Sequence, residues 1–223
     1  MSIAIAIDGP AGAGKSTISK AAAKQLGFIS IDTGALYRTV GLAATRAGVE
    51  PKEGAEVGNL LASISVELTF NDKGEQVVLL NKEDVSGLIR TPEASMMASA
   101  ISAVSSVRAF LLDLQRDIAK TNNVIMDGRD IGTVILPDAE VKIFLTASPE
   151  ARAKRRYDEL LEKGMDVKYD DILQDVITRD YNDSHREIAP LKQADDAVLV
   201  DTTTLNLEES ADAIVKVIEN KIG

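Results

Sequence analysis

Apolar residues along this chain fall into two alternating rhythms. Short unbroken runs at Ile3-Ala4-Ile5-Ala6-Ile7, Phe28 to Ile31, Val124 to Met126, Val141 to Thr146 and Ala197 to Val200 predict strands buried on both faces. Between them, apolar positions recur every three or four residues. Ile18, Ala21, Ala22 and Leu26 share one helical face, as do Leu36, Val40, Ala43, Ala44 and Ala47. Val107, Leu111, Leu114 and Ile118 form a third such face, and Leu207, Ala211, Ile214, Val215 and Ile218 a fourth. The punctuation agrees with these assignments. Gly48 stops the second helix, Thr91-Pro92-Glu93 and Ser148-Pro149 open helices with an N-cap and an N1 proline, and Asn206 to Glu209 has the form of a capping box. Strands alternating with helices predict an α/β chain with a doubly wound, five-stranded parallel sheet, and a ligand at the strands' carboxyl ends.

One stretch breaks the rhythm. Val66 to Phe70 alternates with period two, Asn71-Asp72-Lys73-Gly74 is a turn signal, and Val77 to Leu80 follows, which together predict a β-hairpin. A hairpin is out of place in mid-chain of a parallel core. Residues 60–95 are therefore expected to be a small inserted β module within one domain of residues 1–223, leaving 1–59 and 96–223 as its core.

Chemistry enters where the first strand ends. Asp8 leads into Gly9-Pro10-Ala11-Gly12-Ala13-Gly14-Lys15-Ser16-Thr17 and then a helix, a match to G-x-x-x-x-G-K-[ST] in the strand–loop–helix context that motif requires. A glycine-rich turn that only caps a helix is the simpler reading, and this context argues against it. The glycines let successive backbone N–H groups curl toward one anion, and the helix starting near Lys15 adds its positive end. Lys15 can reach the outer phosphates of a nucleoside triphosphate, and the Ser16 hydroxyl is placed to ligate Mg²⁺. Asp8, Asp32, Asp127 and Asp201 each end a strand and belong near one rim; Asp201 is read as a cap, since nothing after it looks phosphate-directed.

Composition narrows the options. With 25 basic against 35 acidic residues, the net charge of −10 disfavours broad binding to nucleic acid or anionic membranes, so a phosphate site must gather its arginines locally. The absence of cysteine removes disulfides and thiolate metal sites and suits a reducing cytosol. No segment approaches 18 apolar residues and no basic region precedes the first strand, so a cytoplasmic monomer acting on small molecules is expected.

A guanine-nucleotide switch is one reading of the phosphate loop, because Asn81-Lys82-Glu83-Asp84 matches N-K-x-D. No D-x-x-G lies between Ser16 and Asn81, however, and the tetrapeptide is better explained as the hairpin's exit turn. The kinase reading has positive support from arginines at separated places: Arg38, Arg108, Arg129, Arg152, Arg155, Arg156, Arg179 and Arg186. Phosphoryl transfer needs two anions brought in line, water excluded and developing charge neutralised. By spacing, Arg152 and Arg156 share a helix face, which is otherwise a solvated face or a basic patch. His185, among polar neighbours, is read as solvated.

The segments Ile7 to Thr17, Asp32-Thr33-Gly34-Ala35-Leu36-Tyr37-Arg38, Asp127-Gly128-Arg129-Asp130-Ile131-Gly132-Thr133, and Arg179-Asp180 through Arg186 to Ala189-Pro190-Leu191 resemble bacterial cytidylate kinases. The resemblance runs nearly end to end and includes the inserted module. It implies phosphorylation of CMP or dCMP by ATP with Mg²⁺, the ATP phosphates lying in the loop Gly9 to Thr17. It implies that Arg38, Arg129 and Arg186 grip the acceptor phosphate, that Ser99, Arg108 and Asp130 meet the base, and that Arg179 and Asp183 hold the ribose hydroxyls. Residues 152–186 resemble a helical lid whose Arg152, Arg155 and Arg156 act with Lys15 on the transferring group. Position 33 is Thr against an expected Ser; the hydroxyl survives, and Thr33 joins the substrate contacts. Asp127 either holds Mg²⁺ through water or orders the loop, Tyr37 is packing or ligand, and Arg108 alternatively pairs with Asp113 or Glu93 at the surface. Another small-molecule kinase of the same loop class is the runner-up, against which the module at 60–95 and Asp127 to Asp130 speak.

Overall fold

The computed structural model describes residues 2–223. In chain order its elements are β1 (Ala4–Asp8), α1 (Lys15–Leu26), β2 (Ile29–Asp32), α2 (Thr33–Ala47), α3 (Ala55–Ser63), β3 (Val66–Phe70), β4 (Gln76–Leu80), β5 (Glu83–Asp84), α4 (Pro92–Ile101) and α5 (Ser105–Thr121). There follow β6 (Val124–Gly128), a π-helical turn (Ile131–Ile135), β7 (Val141–Thr146), α6 (Pro149–Glu162), α7 (Tyr169–His185), β8 (Val198–Asp201) and α8 (Leu207–Ile222).

Five strands form one sheet in the order β2-β6-β1-β7-β8, with every neighbouring pair parallel. The central strand β1 shows why its run is apolar throughout. Ile5 and Ile7 join Ile18 and Ala22 of α1 and Ile214 and Ile218 of α8 on one face. Ala6, between them, turns to the other face with Ile31, Met126, Ile131 and Ala119 of α5. Successive side chains of a strand point to opposite sides, so a sheet covered by helices on both faces has no position for a polar residue until the strand ends. That end is where Asp8, Asp32 and Asp127 stand, along the carboxyl rim.

The inserted region holds more than the predicted hairpin. β3, β4 and β5 make a three-stranded antiparallel sheet. Asn81 and Lys82, with φ of 50° and 69°, form the tight turn between β4 and β5, and Asn81 Oδ1 accepts from the Ser65 N–H. The N-K-x-D match is thus a turn plus a short strand. α3 had no clear sequence signal: it is nine residues long, its N-cap is Gly54, and Gly58 lies inside it. The expected module boundary at 60 falls within this helix. Val57, Leu60 and Leu61 of α3 join Leu36, Val40 and Ala44 of α2, Val78 and Leu80 of β4, and Val85 and Ile89 just after β5 in one apolar cluster. The module is therefore welded to α2.

The predicted caps are present at α4 and α6, where Thr91 and Ser148 side chains accept from Ala94 and Ala151. At α8 both capping-box bonds form between Asn206 and Glu209, each 2.9 Å. Two positions assigned to buried faces, Ala47 and Leu207, lie at helix ends and remain exposed. Among the described residues no single helix is long and apolar enough to cross a membrane.

Candidate active site

The phosphate loop leaves β1 at a point that only glycine can occupy. A Cβ on Gly9 would stand 1.9 Å from the carbonyl oxygen of Leu145 in β7, and its φ is 151°. Gly14, with φ of 85°, precedes α1 without contributing a side-chain cap, so the first amides of α1 stay available to an anion. Lys15 folds back across the loop and donates to the Pro10 carbonyl at 2.8 Å. Ser16 donates to Asp127 Oδ2 at 2.8 Å, while Asp127 Oδ1 is buried with no partner. Burial, aided by neighbouring Asp32, pushes the Asp127 carboxyl up to about 7. Burial, aided by Arg129, pulls the Lys15 ammonium down to about 7. In both, burial outweighs the partial attraction between Lys15 and Asp127. A polyanion beside Lys15 and a cation beside Asp127 would reverse them.

A cavity of about 310 Å³ runs from Gly12, Gly14, Lys15 and Ser16 of this loop to Thr33, Arg38, Ser99, Arg108, Arg129, Asp130, Arg179, Asp183 and Arg186. The structure therefore brings together all nine residues assigned to the acceptor. Four of their five arginines are paired with carboxylates. Arg108 pairs with Asp130, which also meets Arg186 at 3.3 Å. Arg129 bonds Asp183 at 2.8 Å, and Arg38 bonds Asp32 at 2.7 Å. Arg108 is buried and reaches neither Asp113 nor Glu93; Tyr37 packs beneath it, 5.7 Å from ring centre to guanidinium carbon. Arg179 makes no ion pair among the described residues, and its buried Nε has no partner. Burial, with repulsion from Arg129, holds that guanidinium below its usual range. The Thr33 hydroxyl donates to the Asp127 carbonyl at 2.9 Å, tying the start of α2 to β6.

The three arginines expected in the lid are all engaged with protein acceptors. Arg152 is buried and bonds the Ala11 carbonyl at 2.9 Å, the Ala147 carbonyl and Asp180, so it clamps the phosphate loop to α6 and α7. Arg155 donates to the Thr202 carbonyl at 2.5 Å, and Arg156 pairs with Glu159 at 2.8 Å. Neither Arg155 nor Arg156 lines the cavity. Glu159 lies one turn along α6 itself and Thr202 just follows β8, and each guanidinium takes the acceptor within reach.

Ser102 had no sequence signal, whereas Asp32 was expected at the rim without its partners being named. Ser102, one of several small residues after α4, accepts from Arg186 at 3.2 Å and offers its carbonyl to Arg108. Asp32 both caps α2 through Ala35 and holds Arg38. Asp201 accepts from the Thr203 N–H at 2.8 Å, the local cap expected of it. Exposed His185 stacks on Tyr181, away from the cavity.

The cytidylate kinase family model matches residues 5–220. The chain is 50% identical over 224 residues to the cytidylate kinase of Caldicellulosiruptor bescii, covering 99% of both proteins. It is 51% identical over 217 residues to that of Geobacter sulfurreducens, covering 97% of this chain and 93% of the relative. Among solved structures it is similar to an uncharacterized protein from Eubacterium ventriosum, with a TM-score of 0.52 and 14% identity over 99% of each chain, a likeness of fold alone.

Proposed function

Since this chain belongs to the cytidylate kinase family and is a phosphotransferase, we propose that it moves the γ-phosphoryl group of MgATP directly to CMP or dCMP, giving ADP and CDP or dCDP. The observation that carries this reading is the buried Arg108–Asp130 pair lining the same cavity as the phosphate loop. Cytosine offers an amino donor at N4 beside acceptors at N3 and O2. Asp130 accepts from N4 and Arg108 donates to the ring acceptors, so the base replaces each residue's present partner. Uracil would turn O4 toward Asp130, acceptor against acceptor, a mismatch of roughly 1–3 kcal/mol.

Arg38, Arg129 and Arg186 hold the acceptor phosphate, exchanging carboxylate partners for phosphate oxygens in bidentate contacts. Ser99 and Thr33 line the acceptor, and Arg179 and Asp183 take the ribose hydroxyls. The loop Gly9 to Thr17 cradles the donor phosphates, and Lys15 neutralises charge on the transferring group. Ser16 and Asp127 fit a magnesium ion, because the second Asp127 oxygen is buried and unpartnered. When bound, Mg²⁺ neutralises the outer phosphate oxygens. Arg152 supports the loop directly, whereas Arg155 and Arg156 reach the phosphates only when residues 152–186 close as a lid.

Both halves of the site come from one chain, which supports a single-domain monomer with residues 60–95 on the acceptor side. The net charge of −10 and the lack of cysteine fit a cytoplasmic enzyme of small molecules, without nucleic-acid or membrane partners. The test is ADP formation from MgATP with CMP, dCMP, UMP and AMP in turn. CMP and dCMP should turn over at about 1–100 per second, with kcat/KM for UMP lower by roughly tenfold or more. Equal rates with CMP, UMP and AMP would reject base recognition.

A further inference from the structure

Asp8 stands immediately before the phosphate loop, yet nothing in the reaction above uses it. It is buried, and both of its oxygens are engaged far along the chain. Oδ1 accepts from the Ile131 N–H at 2.7 Å and Oδ2 from the Gly132 N–H at 2.8 Å. These two amides open the π-helical turn Ile131–Ile135, which Asp130 does not cap with its own side chain. A strand end thus provides the cap that the turn lacks, and it does so with a charged acceptor on two adjacent donors.

The residue directly before those amides is Asp130. Asp8 itself is held firmly: in the sheet it pairs with Gly128 on one side and Phe144 on the other. The next residue, Gly9, is pressed against the Leu145 carbonyl. We infer that Asp8 is a positioning residue for acceptor recognition, fixing the Asp130 backbone at a set distance from the phosphate loop and thereby placing the carboxylate shared by Arg108 and Arg186. The inference rests on the reading of Asp130 as a group that meets the base. Burial pushes the Asp8 carboxyl up to about 6 while the two amides and nearby Lys15 pull it down and Asp130 adds to the rise. An apolar side chain would avoid that penalty but leave both amides buried without acceptors.

Asparagine keeps the shape of Asp8 and breaks one bond, because its NH₂ would face one of the two N–H groups. Asp8→Asn should raise KM for CMP by roughly tenfold and shrink the preference for CMP over UMP by a similar factor, with KM for ATP unchanged within about twofold. Equal rises in KM for ATP and CMP would overturn the inference, since a general loosening of the fold has no reason to single out the acceptor. So would an intact CMP preference in Asp8→Asn if Asp130→Asn loses it. If Asp130→Asn itself keeps the full preference, the reading of Asp130 fails and this inference with it. Should Asp8→Asn not fold, amide exchange in the unaltered protein decides. CMP should slow exchange at Ile131 and Gly132 by roughly tenfold or more, and amides that ignore CMP would overturn the proposal.

Discussion

Replacing Lys15 with alanine is expected to lower kcat by roughly a hundred- to a thousandfold with CMP and dCMP alike, the usual scale for losing one preorganised charge at a transferring group. The side chain is buried, sits over the loop on the Pro10 carbonyl, and touches no residue of the Arg108–Asp130 end. Its charge is disfavoured in the free protein by burial and by Arg129, and the triphosphate proposed to bind there would restore it. KM for CMP should therefore move by no more than about threefold, because the lost interaction belongs to the transition state and not to acceptor binding. Steady-state kinetics at saturating MgATP with both acceptors checks this. A loss that depended on which acceptor was supplied would place Lys15 somewhere other than the donor phosphates.

Arg108→Met should show the converse pattern. Methionine keeps the aliphatic stem but lacks the guanidinium that lies over Tyr37 and that is proposed to donate to the cytosine ring. It also leaves Asp130 with only the longer 3.3 Å contact to Arg186. KM for CMP is expected to rise by roughly ten- to a hundredfold, or about 1.4–2.8 kcal/mol, with a smaller change in kcat. Stability should fall as well, because a buried carboxylate loses its nearer cation. Arg186 limits that fall, so the variant should remain folded and assayable. If Arg108→Met and Lys15→Ala gave the same kinetic signature, the division between a donor end and an acceptor end would be wrong.

How far the chain could be read in advance depended on how local each feature is. The phosphate loop is contiguous and its motif is written in consecutive residues, so Gly9 to Thr17 was legible even though the backbone that crowds Gly9 is that of distant Leu145. The parallel strands were legible for a similar reason: burial on both faces leaves an unbroken apolar run, as in Ile5-Ala6-Ile7. Arg38, Arg129 and Arg186 were found through motif segments and Arg108 through the wider family resemblance, and the structure gathers them around one cavity. What escaped was set by long-range contact. The engagement of Asp8 with Ile131 and Gly132 spans more than half the chain, and no local pattern marks it. Ser102 earns its place only because α4 ends beside Arg186. Arg155 and Arg156 could be named from the sequence but not their partners, because a long flexible guanidinium goes to whichever acceptor packing brings near, here Thr202 and Glu159. β5 was hidden because two exposed residues are too few to show a period.

The ion pairs give the site its working logic. Each arginine assigned to the acceptor, except Arg179, is held by a carboxylate that the nucleotide must displace or share. Such pairing keeps buried cations in place before substrate arrives, and it limits the net gain on binding to the difference between two sets of contacts.

The most direct measurement is a crystal structure of the protein with CMP and a non-hydrolysable ATP analogue bound together. The cytosine amino group should lie within hydrogen-bonding distance of Asp130, with the ring acceptors facing Arg108 and the triphosphate inside the loop Gly9 to Thr17. A base lying out of reach of both Asp130 and Arg108 would contradict the assignment of this cavity to a cytidine monophosphate.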